Sequence, residues 1–122
     1  MNVVEQYARA QLVADADAPQ SVGRTVPVRL SYDPGRDPRA VRVTLSGPAG
    51  HEWSLRRELL ERGLRAPAGS GDVQVWPCGR VQVVVEFHSA QGVFMVQFET
   101  KALTRFLRRA HVAAAAAEPV PH

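Results

Sequence analysis

Residues 65–77 constrain this chain more than any other stretch, because within them the sequence changes from one backbone regime to another. Proline fixes its own φ and glycine accepts positive φ, so Pro67, Gly69 and Gly71 predict a tight non-helical connection. Asp72 follows, a side chain suited to hydrogen-bonding amides two residues on and holding a turn. Val73 and Val75 then fall on one face of a short strand, with Gln74 and Trp76 on the other. Pro77 brings no N–H to a ladder, so the strand stops there or lies at an edge. A helical pattern precedes this stretch and a strongly β-like run follows it. It reads as a joint.

The helical side is residues 56–62, opened by Ser54 or a neighbour. Leu59 and Leu60 face inward, and Gly63 stands where a left-handed C-terminal cap belongs. On the other side, Val81, Val83, Val85 and Phe87 line one strand face. Gln82, Val84, Glu86 and His88 line the other, and the valine among them implies burial on both sides. Ser89 to Gly92 make a four-residue turn, and residues 93–99 return as the hairpin partner. Thr100 suits the N-cap of a closing helix whose apolar stripe is Leu103, Phe106, Leu107 and Ala110. Lys101, Arg105, Arg108 and Arg109 occupy its other sides. Ala113 to Ala117 have the propensity to prolong it, and Pro119 and Pro121 end it. Residues 1–112 are therefore read as the domain, and 113–122 as a frayed Ala/Pro-rich tail.

Nearer the start, Val26, Val28, Leu30 and Tyr32 alternate with Pro27, Arg29 and Ser31, and Pro27 marks that strand as an edge. Asp33 to Pro38 form a proline-rich turn. Val41, Val43 and Leu45 line a half-buried strand, Gly47 to Gly50 turn the chain, and residues 51–55 pair back as a hairpin. Residues 3–14 are ambiguous. Ala8, Ala10, Leu12 and Ala14 alternate with larger neighbours as in a strand, whereas Val4, Ala8, Gln11 and Leu12 approach helical spacing. Propensity alone says helix. The 122 residues suit one core, since two would each be too small. The pattern predicts an α+β fold: about seven antiparallel strands in a barrel or two layers, with one short helix and a C-terminal helix.

The residues that carry chemistry elsewhere do not assemble into a motif here. Cys78 is the only cysteine; it sits beside a proline, has no histidine placed to activate it, and leaves no disulfide or multi-cysteine zinc site. His51, His88, His111 and His122 show neither HxH nor HExxH spacing. Asp33 and Asp37 flank prolines, as turn residues do, and Glu58 and Glu61 belong with Arg57 and Arg62 on a solvated helix face. Gly69-Ser70-Gly71 lacks the Walker lysine and leads into a strand, so no helix N-terminus receives an anion. The expectation is no enzyme, no cofactor and no metal. The formal charge is +3, with Lys101 the only lysine. Solubility explains that balance unless the arginines gather on one face. Trp53 and Trp76 read first as packing residues and second as platforms for nucleobases. No apolar run approaches bilayer length and the first residues lack a signal-peptide pattern, so the expected location is cytoplasmic.

The stretch Gly69-Ser70-Gly71-Asp72-Val73-Gln74-Val75-Trp76-Pro77 resembles the signature of the SsgA-like proteins, actinobacterial regulators of sporulation-specific cell division. Agreeing with it in order and spacing are Leu30-Ser31-Tyr32-Asp33 with Asp37-Pro38 and Ala40-Val41, and Trp53 followed by Arg57 to Leu64. Gly92 in a hairpin and Ala102-Leu103 with Phe106-Leu107-Arg108 complete the set, which spans roughly residues 3–110. Each piece alone is unspecific; their joint order is not. The resemblance places the first strand at residues 3–14. It implies a barrel-like core related to the whirly type of single-stranded nucleic-acid-binding fold, and self-association, with a trimer as the expected homo-oligomer. It further implies a non-enzymatic adaptor acting at division septa, whose partners are the tubulin-like division GTPase FtsZ or a related SsgA-like protein. Arg39 departs from the aromatic that often follows Asp-Pro in the family. On this reading Gly69, Gly71, Asp72, Val75, Trp76 and Pro77 are structural, and Arg105, Arg108 and Arg109 are the candidate partner-binding residues. The rival reading is a single-stranded nucleic-acid binder using a basic, aromatic-bearing sheet.

Overall fold

The computed structural model describes residues 3–15, 22–45, 51–90 and 92–117. The expected turn at Gly47 to Gly50, Gln91 of the hairpin turn, and the end of the tail from residue 118 lie outside them. The described strands are β1 (Val4–Asp15), β2 (Thr25–Tyr32), β3 (Ala40–Leu45), β4 (His51–Arg56), β5 (Ala68–Ser70), β6 (Val73–Cys78), β7 (Gln82–Ser89) and β8 (Gly92–Glu99). Helix α1 (Arg57–Gly63) links β4 to β5, and α2 (Thr100–Ala117) follows β8. One antiparallel sheet runs in the order β4-β3-β2-β1-β8-β7-β6-β5. The fold is thus the expected antiparallel α+β type, with one strand more than the estimate of about seven. The extra strand is β5, whose Ala68, Gly69 and Ser70 pair with Val75, Gln74 and Val73. Gly69 therefore lies in a ladder, and the tight turn falls to Gly71 alone, at φ +59°.

The N-terminal segment is a strand although its propensity favours helix. It pairs on both sides, with β2 over residues 4–11 and with β8 over residues 10–15. Two ladders of backbone hydrogen bonds outweigh propensity differences of a few tenths of a kcal/mol per residue. A bulge between Leu12 and Ala14 bends β1 where its pairing passes from β2 to β8.

The two edge strands, β4 and β5, are consecutive strands of the chain, and α1 spans the gap between them, touching β4, β5 and β6. The sheet therefore curls into a half-barrel around the helices. Its concave face supplies Val28, Leu30, Val41, Val43, Val83, Val85, Val96 and Phe98, and the helices supply Leu59, Leu60, Leu103 and Phe106, all buried. Trp53 of β4 lies stacked on Phe87 of β7 (centroids 4.9 Å, 17°) and on Phe94 of β8 (4.2 Å, 21°), reaching across the barrel.

Three local expectations are corrected. Gly63 is not among the residues at positive φ; it is the last residue of α1, buried, and Leu64 at the C-cap is right-handed. What it needs is space, because a Cβ there would meet Val75 Cγ1 at 2.2 Å. Pro27 lies in an interior strand, paired with Arg9 of β1 but just outside the stretch that β3 covers, which begins at Val28. Strand β6 runs one residue beyond Pro77, which pairs with Val83 on one side and lies beyond the reach of β5 on the other. Helix α2 continues through Ala117, as the propensity of Ala113 to Ala117 allows, and Ala113, only 8% exposed, extends its buried stripe.

Candidate partner-binding surface

The residues of the signature stretch meet the rest of the fold mainly through backbone and packing. Gly71 turns the chain between β5 and β6. Asp72 fixes that turn by its carbonyl, which accepts the His88 N–H at 2.8 Å, and not by the side-chain bond expected from the sequence. Val75 is fully buried beneath Gly63. Trp76, half-buried on the outer face, donates its indole N–H to Glu86 Oε2 at 3.2 Å. Gly71→Val is expected to lower stability by about 1–2 kcal/mol, since a β-branched residue is strained at positive φ. Thermal melting checks this, and an unchanged curve contradicts it. With no atom within 4 Å of a Cβ at Gly71, the backbone is the whole cause.

A second joint gathers two of the other signature stretches. Tyr32, 1% exposed, donates its hydroxyl to the Pro38 carbonyl at 2.8 Å. The Arg57 guanidinium lies 5.4 Å from the Tyr32 ring centroid, and the Arg57 N–H donates to the Arg39 carbonyl at 2.7 Å. Burial raises the Tyr32 pKa above its ordinary value, with Arg57 opposing the rise. The turn between β2 and β3 is closed by Asp33 Oδ1 on the Gly35 N–H and Asp37 Oδ1 on the Arg39 N–H. Arg39 thus contacts the start of α1 through its backbone carbonyl.

The candidate basic residues separate into two groups. Arg109 Nη1 donates to the Glu5 carbonyl at 3.2 Å and to Gln6 Oε1 at 3.3 Å. Gln6 Nε2 in turn donates to the Ala102 carbonyl at 2.9 Å, so the pair clamps α2 onto β1. Arg105 and Arg108 are exposed and have no ion-pair partner among the described residues. They line a groove with Arg80 and Lys101, between the turn after β6 and the first turns of α2. Sequence reasoning missed Arg80 as part of this surface. Only the packing of the turn after β6 against α2 brings residues 80 and 105 together.

The remaining candidates are placed by the same packing. Trp53 stacks on the neighbouring rings of Phe87 and Phe94, which favours the packing reading over a nucleobase platform. His88 lies against Glu86 on the outer face, and Arg57 pairs with Glu61 at 3.9 Å. Among the described residues no helix is long and apolar enough to cross a membrane.

Comparison with known proteins fits this architecture. Residues 26–118 match the family described as the Streptomyces sporulation and cell division protein SsgA. The sporulation-specific cell division protein SsgB of Salinispora tropica is 38% identical over 112 residues, covering 86% of this chain and 78% of that one. A solved structure of SsgB, from work linking mutations in it to longitudinal cell division during sporulation of Streptomyces coelicolor, superposes with a TM-score of 0.77. That match is 31% identical and covers 96% of this chain and 90% of the other. The SsgA-like sporulation-specific cell division protein of Thermobifida fusca superposes with a TM-score of 0.74 at 27% identity, over 94% of this chain and 84% of that one. With the family match spanning most of its length and its fold shared with two solved relatives, this chain belongs to the SsgA-like family of sporulation and cell division proteins.

Proposed function

We propose that this protein is a non-enzymatic cytoplasmic adaptor of sporulation-specific division. In this reading it helps position or control the machinery of the septum and the spore wall by binding other proteins, FtsZ or a related SsgA-like protein among them. The observation that carries the reading is the exposed pair Arg105 and Arg108, unpaired among the described residues, on a helix whose opposite side is locked into the core. Cations so placed steer encounter and select partners while adding modest affinity. The signature residues Gly69, Gly71, Asp72, Val75, Trp76 and Pro77 serve this role indirectly, by setting the shape of the barrel. Self-association, with a trimer as the expected state, belongs to the same proposal, and light scattering across a dilution series tests it.

The localisation test is Arg105→Glu with Arg108→Glu, leaving Arg109 in place because it clamps β1. A fluorescent fusion of the variant should lose septal enrichment while the melting curve of the purified protein stays within about 2 °C, as exposed positions tolerate such changes. Septal enrichment equal to the parent's would defeat the proposal.

One observation favours the nucleic-acid reading. Tyr7 is 66% exposed on the outer sheet face and stands directly across from Arg29, with Arg9 two residues along. A single stacking platform beside arginines is the minimum a single strand requires. Oligonucleotide binding that falls steeply with salt would transfer the function to that face.

A further inference from the structure

The groove beside α2 is a place where charge is concentrated. It measures about 850 Å³ and is lined by Arg80, Lys101, Arg105, Arg108 and Arg109, with Glu99 as its carboxylate. None of the five cations has an ion-pair partner among the described residues, and of them Arg109 is engaged with the Glu5 carbonyl and Gln6. The cleft on the outer sheet face differs: there Arg29, Arg36 and Arg42 share the lining with Glu5, Asp33, Asp37 and Glu52, which balance them. The walls of the α2 groove are fixed. The Thr100 N–H donates to the Val81 carbonyl at 2.8 Å, tying the turn to the start of the helix, and Gly79 at φ +71° sets that turn. The far end is held by the Arg109 clamp on β1. Val81 forms an apolar spot in the lining and is 66% exposed.

We infer that this groove binds an extended acidic peptide segment of a partner protein, with carboxylates on Lys101, Arg105 and Arg108 and an apolar side chain on Val81. The inference rests on the adaptor reading and names the chemistry of what the adaptor holds. Guanidinium forks match carboxylates in a two-bond geometry, which favours acidic side chains over a diffuse negative surface. The spacing agrees. Lys101 and Arg105 are four residues apart on a helix, about 6 Å along its axis, and alternate side chains of an extended peptide repeat every ~6.6 Å. Acidic residues at alternate positions therefore meet successive cations. The same lining disfavours a nucleic acid, because it offers no aromatic ring for a base and sets Glu99 against a phosphate.

The experiment uses the full chain and a fluorescein-labelled twelve-residue peptide alternating aspartate with leucine or serine, read by anisotropy. A copy with asparagine for aspartate and a single-stranded oligonucleotide of equal charge are run beside it. Saturable binding of the acidic peptide alone is expected. Arg105→Glu with Arg108→Glu should weaken it at least about tenfold, and Arg80→Glu, in the turn, should weaken it independently. Arg36→Glu with Arg39→Glu makes the same change in net charge at exposed positions outside the groove, and should leave the affinity within about twofold. Absence of saturable binding, or equal weakening by both double variants, overturns the inference. Tighter binding of the oligonucleotide, lost in the groove variants, overturns it in favour of nucleic acid. If the Arg105/Arg108 variant loses septal localisation while no acidic peptide binds, the adaptor reading stands and the acidic-segment inference falls.

Discussion

Gly63→Ala should destabilise this protein by about 2–3 kcal/mol and lower its melting temperature by roughly 10 °C. Helix propensity alone makes the opposite prediction, since alanine is better than glycine in a helix by about 1 kcal/mol. The contact decides the sign. A Cβ at Gly63 would lie 2.2 Å from Val75 Cγ1, 2.4 Å from its Cβ and 3.0 Å from its carbonyl oxygen. Val75 cannot yield easily, being fully buried in a strand paired on both sides. Helix α1 must therefore move off β6, and α1 is the element that spans the two edges of the curled sheet. Adding Val75→Ala removes the nearest atom but keeps the Cβ, so it should restore only part of the loss in a double-mutant cycle. A Gly63→Ala protein as stable as the parent would show that α1 and β6 are not in this contact.

Trp53→Ala should cost about 3–5 kcal/mol, a large share of the stability of a domain this size. Trp53 projects from the β4 edge and stacks on Phe87 and Phe94, which belong to strands on the other side of β1. Offset aromatic stacks add about 0.5–1.5 kcal/mol to the burial of the rings themselves. Removing the indole therefore empties the space between the two halves of the half-barrel. Trp53→Leu fills part of that space and should recover part of the loss. Chemical denaturation monitored by circular dichroism measures both, and a midpoint for Trp53→Ala equal to the parent's would refute the assigned packing role.

The groove was less legible from the sequence than the fold. Arg105 and Arg108 stood out because helical periodicity places them opposite Leu103 and Phe106. Arg109 looked equivalent to them, yet it reaches back to Glu5 and Gln6, residues distant in the chain that only the docking of α2 on β1 brings near. Arg80 was invisible for the same reason, since its neighbourhood to Lys101 depends on one turn packing against one helix.

What the sequence determined by itself is local. Two-residue alternation placed β2, β3 and β7, a hairpin turn placed β8, the i, i+3, i+4 stripe placed α2, and Gly71 marked a positive-φ turn, because each signal acts within a few residues of backbone. Tertiary structure decided the rest. It made residues 4–15 a strand against their helical propensity, by offering two partners for their backbone groups. It gave Gly63 its reason, closeness to Val75 in place of a cap. These outcomes depend on contacts between residues far apart in sequence, where packing distance, which no local pattern encodes, sets the energy.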